Sequence, residues 1–502
     1  MKQFRKTLPL VGALSLFLSC FSVSAQNSLI GREFLFSVLG GEAQAGEVPT
    51  VFVTMSAAYP DDQKGKVVLT VPSTNESVTF EYNGRLSQAP VVWGYEVDER
   101  TFMGIKEGKD PFSIHVEADI DITVLLTKHY RGEDYNHGDG TMVLPVRELG
   151  TQYYVMSHNE LTDQLNSEIV IVATRDDTYI DIIPSVDTRA HPAGFPFTIK
   201  LDRGERFQVQ SKGDLTGTFI ELNTDFDETC KPFAVFSGAS RTTIGNKTNE
   251  GHIFTQVYST DKWGSSFSLL PFELDSSAYL VKILAYENNT EVERTTADDS
   301  NTILLNSGEF ATMTFNKAVK IKANKKILLA QYFMGFDEDL KGTDPFILLP
   351  IADQHFSSEL SLNWGPNSSF RRLVQQADPN ARIPPFHSII MQETDTSFFT
   401  HRSSGFKQGM KTFEPNEALV YSNFYPSLTF DGFELSQKSP HALHLFTFGK
   451  IPFTVNLGIK ANVLFVPSDS LSLDVSEVVL LADDSEAACM EKNLFFQSKY
   501  TG

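Results

Sequence analysis

Cysteine is nearly missing from these 502 residues, which hold three in all. Cys20 sits in an apolar N-terminal stretch, so Cys230 and Cys489 are left for the body of the chain. A small fold stapled by disulfides is excluded, and so is a cysteine-rich zinc site. Cys230 and Cys489 are the one pair that can close a disulfide in an oxidising compartment. Their spacing in sequence leaves open whether they meet. Basic charge is short as well: 42 Lys and Arg stand against 63 Asp and Glu, a net charge of −21. So acidic a surface repels phosphate backbones and anionic lipid, which excludes nucleic acid as a main partner. Long apolar runs are absent after the first 25 residues, so no membrane insertion is expected.

The N-terminus supplies the compartment. Lys2, Arg5 and Lys6 precede the apolar stretch Leu8–Val23, and Val23-Ser24-Ala25 has the small residues that a signal peptidase requires. Residues 1–25 are read as a signal peptide and the protein as secreted and extracellular. An uncleaved N-terminal anchor, or a lipid on Cys20, is the rival reading. Asn-X-Ser/Thr sequons at Asn75, Asn246, Asn288 and Asn367 are candidate glycosylation sites on loops.

Helical periodicity is missing, and strand signals fill the chain. Forty Phe and fifteen Tyr, with many Val, Ile and Thr, suit pleated surfaces. Short runs such as Val67–Val71, Ile169–Thr174, Tyr179–Ile183, Phe197–Leu201, Phe219–Leu222 and Phe233–Phe236 are separated by Gly, Pro, Asn and Asp. The order of signals also returns. A turn at Asp176-Asp177 and another at Gly204-Glu205 have counterparts at Asn288-Asn289 and Gly308-Glu309. The period of about a hundred residues, with about seven strands, is that of a β-sandwich unit. The expected fold is all-β: tandem sandwich-like repeats at 26–140, 141–260, 261–340 and 341–460, then a strand and tail at 461–502. A β-propeller, with blades of half this period, is the alternative.

Catalytic signatures are missing too. There is no nucleophile elbow, phosphate loop or zinc helix, so catalytic residues, cofactor-binding residues and metal ligands are all read as none, with no cofactor. Asp134–Gly140 has its glycine one place late for a calcium loop and is read as a polar turn. His441 and His444, three apart on a strand, point to opposite faces. Acids at Asp176, Asp177, Asp202 and Asp214 would bind calcium only if their loops converged. Glu205 and Glu309 invite a glycosidase reading, but both occupy the same place in the repeat, where a turn explains them. Lys212-Gly213-Asp214 is read as a turn, and Leu473-Asp474-Val475 is too short to carry a recognition role. Phe398, Phe399, Phe424, Tyr425, Phe430 and Phe433 make the fourth repeat aromatic, which on strands reads as core.

Several blocks in fixed order resemble the IgGFc-binding protein N-terminal domain family. They are Gly31-Arg32-Glu33-Phe34, Leu144-Pro145, Leu149–Val155, Ser167–Thr174, Asp177-Thr178, Gly213–Thr218, Lys231–Gly238, Gln256 and Trp263-Gly264. The resemblance spans about 31–275 and continues through the repeat. It departs from the family in one respect: Ala239–His252 lacks the cysteines that usually follow the Ser-Gly pair. The von Willebrand type D and cysteine-rich modules of the mucus protein are also missing. The resemblance implies a non-enzymatic extracellular module of mucus, matrix or adhesion. Its implied partners are extracellular proteins or glycoproteins, with immunoglobulin Fc or mucins among them. No motif carries Fc contact, so no contact residue is transferred. A secreted carbohydrate-active enzyme and an antibody-binding immune-evasion protein are the competing functions.

Overall fold

The computed structural model describes residues 29–352 apart from 41–47, 58–63, 84–90, 97–106, 132–135, 164–166, 227–228, 246, 249, 270–277, 318 and 335–344. Beyond them it describes, as backbone, eight strands between Ser357 and Val463. Strands and a few single-turn 3-10 segments make up the described secondary structure, as an all-β repeat requires.

One pairing scheme recurs. In the first unit the long strand Ile114–Arg131 takes two sets of partners within one sheet. Its first half pairs with Gly31–Phe36 and Lys64–Val71, and its second half pairs with Val48–Ala57 and Asn136–Val143. In the third unit Val319–Phe333 does the same. Its first half takes Gly264–Leu269 and Thr290–Thr295, and its second half takes Tyr279–Ala285 and Phe346–Leu348. The second unit splits this strand. Phe219–Leu222 pairs with Gln152–Tyr154 and Thr178–Ile183, while Phe233–Thr242 pairs with Ser167–Ala173 and Gly251–Gln256. In the fourth, Asp431–Thr447 pairs first with Ser357–Trp364 and later with Phe386–Gln392 and Ile459–Val463. The chain is thus a set of tandem sandwiches of common topology.

The repeated turns have a shared physical cause. Asp177 and Asn289 adopt φ of 53° and 56°, a left-handed conformation that short polar side chains tolerate. The Asp177 amide donates to Asp202 Oδ1, and the Asn289 amide donates to Asn306 Oδ1. Gly204 and Gly308 are left-handed in the next turn. There the Glu205 carboxylate accepts from the Asp202 amide at 2.7 Å and the Glu309 carboxylate from the Asn306 amide at 2.8 Å.

The units share cores instead of standing apart. Every residue of Ser167–Ala173 is buried. Val170 and Val172 face a core with Phe34, Val116 and Leu126 of the first unit, while Ile169 and Ile171 face the second unit's own core. Tyr279–Ala285 is buried on both faces in the same way. Leu280 and Leu284 join the second unit's core, and Val281 and Ile283 join the third's. Strands covered on both sides read as continuous apolar runs because neither face meets water.

Charged groups cross these seams. Arg206 is fully buried. Its Nε lies 2.7 and 2.8 Å from the two Asp110 carboxylate oxygens, and its Nη1 donates to Ser37 Oγ and the Val38 carbonyl. Asp110 itself lies on Gly108–Asp110, an edge strand lent to the second unit's large sheet. Between the second and third units, Lys282 is buried and its Nζ reaches Asp214 Oδ2 and the Ser157 carbonyl. Nearby, burial pushes the His158 imidazole below its ordinary range. His158 and Thr243 hydrogen bonds, with the Gly245 amide, hold Glu160 down at about 2 against the opposing effect of burial.

One expectation is corrected. Asn136–Gly140 is not a polar turn but half of a strand. Thr127 pairs with Gly140 and Lys128 with Asp139. Hydrogen bonds from the neighbouring long strand outweigh the weak strand preference of Gly and Asp. The buried Asp139 carboxylate accepts the Gly140 amide at 2.7 Å and the Phe254 amide, from the second unit, at 3.0 Å.

Tyr153 fixes the entry to the second unit. Its buried hydroxyl donates to the Phe233 carbonyl at 2.6 Å and accepts the Gly150 amide at 2.9 Å. Tyr153→Phe should cost about 1–3 kcal/mol by stranding both backbone groups. The check is the urea midpoint, which should fall while the far-UV spectrum stays unchanged.

Candidate binding face

The outward side of the second unit's small sheet gathers the exposed aromatic and polar groups. The sheet runs Phe197–Leu201, Thr178–Ile183, Phe219–Leu222, Gln152–Tyr154. Alternation buries Ile180, Ile182, Ile199 and Ile220 and turns Tyr179, Asp181, Lys200 and Glu221 outward. Tyr179 stacks on Phe226, with ring centroids 4.5 Å apart at 24°. Phe226 is 64% exposed, one of the few large apolar side chains so open among the described residues.

Polar groups frame this pair. Asp181 accepts from Thr198 Oγ1 at 2.5 Å and from Asn223 Nδ2 at 2.8 Å, so its carboxylate is fixed in place. Lys200 Nζ lies 5.5 Å from the Tyr179 centroid and pairs with Asp177, which raises the lysine above its ordinary range. An exposed apolar step held between fixed hydrogen-bonding groups of both signs is what a protein partner's surface can engage. Across the seam, Tyr154 packs near Trp263 and Tyr286 and shares a 2.8 Å hydrogen bond with Ser307.

The residues singled out from sequence fall as follows. Asn75 is exposed, with φ 58°, just before the edge strand Glu76–Asn83. Asn288 is exposed and its Oδ1 accepts the Ser307 amide, while the sequon's Thr290 is buried and donates to the Glu287 carbonyl. Asn246 and Asn367 lie outside the described residues. Cys230 is disulfide-bonded, and Cys489 lies outside the described residues. His441 and His444 share the strand Asp431–Thr447. The signal peptide, Leu473-Asp474-Val475 and the aromatic residues Phe398, Phe399, Phe424, Tyr425 and Phe430 are outside the described residues, as is the Phe433 side chain.

The acids considered for calcium each have protein partners. Asp176 accepts the Arg203 amide, Asp202 accepts the Asp177 amide, and Asp214 turns to Lys282. One group of metal-ligating type went unread in sequence: Glu33, His115 and Glu117. Glu33 and Glu117 are cross-strand partners, which brings like charges together. The Arg203 guanidinium, from the second unit, answers them at 2.8 Å from Glu33 and 3.1 Å from His115 Nε2. His115, and then Arg203, hold the Glu33 carboxyl below its ordinary range. The trio is an inter-unit latch closed by arginine.

Comparison with known proteins gives one family. The sequence profile described as IgGFc binding protein matches residues 139–398, just over half of the chain. No curated protein matches. Among solved structures, the chain is similar to a Ca2+-stabilised adhesin said to help an Antarctic bacterium reach out and bind ice. That similarity has 8% identity over 86% of this chain and 98% of that one, with a TM-score of 0.11. It is also similar to the major pilin protein T-13 of Streptococcus pyogenes, with 8% identity over 87% and 100% of the two chains and a TM-score of 0.12. Scores this low bear on neither fold nor function. Among the described residues no helix is long and apolar enough to cross a membrane.

Proposed function

Because the chain belongs to the IgGFc binding protein family, we propose that it is a secreted, non-enzymatic binding protein of mucus, matrix or adhesive secretion, and that it meets its partner with the Tyr179–Phe226 face. The family match over 139–398 carries this reading. That span contains the whole small sheet and its aromatic pair. The shared cores and buried charge pairs support it, since a binding face on a stiff body loses little ordering entropy on contact. The use of Glu205 and Glu309 as acceptors for backbone amides supports a structural role for both carboxylates.

The partner class is an extracellular protein or glycoprotein, with immunoglobulin Fc the family's namesake. The test is capture of partners from native secretions, and separately of purified immunoglobulin, on the immobilised full chain. Captured proteins are identified by mass spectrometry. Tyr179→Ala with Phe226→Ala should weaken capture roughly 30-fold, equivalent to about 2 kcal/mol, as truncation of an aromatic anchor does. Immunoglobulin retained at physiological salt would assign the Fc role. Mucin or matrix proteins retained alone would assign the structural one. Capture unchanged by the double substitution would remove this face from the proposal.

A further inference from the structure

We propose that Lys282 and Asp214 condense to an intramolecular amide, an isopeptide bond that welds the second unit to the third. The two groups come from different units. Lys282 lies in the middle of Tyr279–Ala285, and Asp214 in the turn between Arg206–Ser211 and Phe219–Leu222. Lys282 Nζ sits against Asp214 Oδ2. The Ser157 carbonyl, 2.7 Å away, and Thr216 Oγ1, 3.3 Å away, hold the amine in that position. Phe310 and Tyr332 wall the site, their ring centroids 5.2 and 5.6 Å from the nitrogen.

The other carboxylate oxygen is placed for acyl chemistry. Asp214 Oδ1 accepts the Thr216 amide at 3.0 Å and lies 2.7 Å from the Thr216 hydroxyl. The Thr216 amide, joined by the Thr216 hydroxyl when its one proton turns from the Ser157 carbonyl, stabilises the negative charge that develops there when a nucleophile adds to Cγ. Amine and carboxyl are already in contact, so the step carries no cost of bringing them together. Burial drives the Lys282 ammonium below its ordinary range, against the attraction of Asp214, and so favours the neutral amine that attack requires.

The step balances without a co-reactant. An ammonium proton passes to Oδ2, which neutralises both groups. The Nζ lone pair then adds to Cγ, giving a tetrahedral centre whose oxyanion is Oδ1. A second nitrogen proton passes to Oδ2. The Cγ–Oδ2 bond breaks, Oδ2 departs as water, and Nζ keeps one hydrogen in the amide. Asp214 is partly exposed, which gives the water a way out. Converting two charges in a dry seam into one neutral amide also removes the desolvation penalty of a buried pair.

The experiment is the intact mass of the reduced, denatured full chain, with its N-terminus fixed by fragmentation. The expected mass is lower than that of the sequence by one water. Proteolysis should then yield a branched peptide joining the Lys282 and Asp214 segments. Lys282→Met should restore the full mass, and Thr216→Val should leave a mixture of linked and unlinked chains. Soluble, folded wild-type protein at full sequence mass would overturn the proposal. So would a water deficit that maps to any other pair of residues. The wild-type measurement decides the matter even if Lys282→Met does not fold.

Discussion

Asp110→Ala is expected to lower stability by about 3–5 kcal/mol, the range for a buried pair broken from one side. The reason is what remains. The Arg206 side chain is wholly buried, and its Nε donates to both oxygens of the Asp110 carboxylate. Guanidinium does not shed its proton under physiological conditions, so the charge stays. Ser37 and the Val38 carbonyl would still accept hydrogen bonds, but neither carries a formal charge. Arg206→Met combined with Asp110→Leu should recover most of the loss, because a buried ion pair and an apolar pair of similar volume are close in stability. Urea midpoints for the wild type, Asp110→Leu, Arg206→Met and the double variant give the coupling. Since the pair is mostly shielded from solvent, the loss should vary little with salt. A single-variant loss under about 1 kcal/mol would mean that other groups or water answer the guanidinium without Asp110.

The second large effect belongs to Gly217. Its φ is +87°, which costs any other residue about 1–3 kcal/mol. A Cβ at this position would also lie 2.6 Å from the Gly308 carbonyl oxygen, in the third unit. That neighbour is backbone in a tight turn and has no rotamer to yield. Gly217→Ala should therefore cost about 3 kcal/mol or more, strain and clash together. Gly194→Ala is the control. It has φ +75° and open space around its Cβ, so it should pay the backbone cost alone, near 1 kcal/mol. Thermal unfolding of the two variants separates clash from strain. Equal losses would show that the second and third units do not press together at this point.

Much of the fold was legible, and the reasons are local. Phe197–Leu201 and Phe219–Leu222 were read from sequence with the ends the structure gives them, because apolar alternation and turn residues agree there. The turns at Asp177 and Asn289 were visible because residue types that tolerate left-handed backbone recur at one place in the repeat. The strand Asn136–Val143 was hidden, since its glycines and aspartate are held by a partner strand and not by their own preference. The seam charges were hidden for a different reason. Arg206 meets Asp110 across 96 residues and Val38 across 168, distances over which sequence gives no pairing rule. Yet a signal was present. Lys282 interrupts the apolar run Tyr279–Ala285, and a lone lysine in a strand buried on both faces must have a partner. The binding face was half visible. Tyr179 reads as an outward position, but the ring that covers it, Phe226, comes from a loop.

The lent strand Gly108–Asp110 bears on where this protein may be cut. Shared ancestry with the family is recognisable from residue 139 onward, and that point looks like a natural place to begin an excised fragment. The fragment would leave behind the edge that pairs with Arg206–Gln208, the Asp110 carboxylate that meets Arg206 Nε, and the Gly40 amide that donates to Gln208. The limit of detectable kinship and the limit of cooperative folding therefore fall at different residues. A piece trimmed to the first would lose the carboxylate that meets the buried Arg206 Nε. The smallest autonomous body that includes the second unit must reach back at least to the strand beginning at Gly31, whose tail supplies Ser37, Val38 and Gly40.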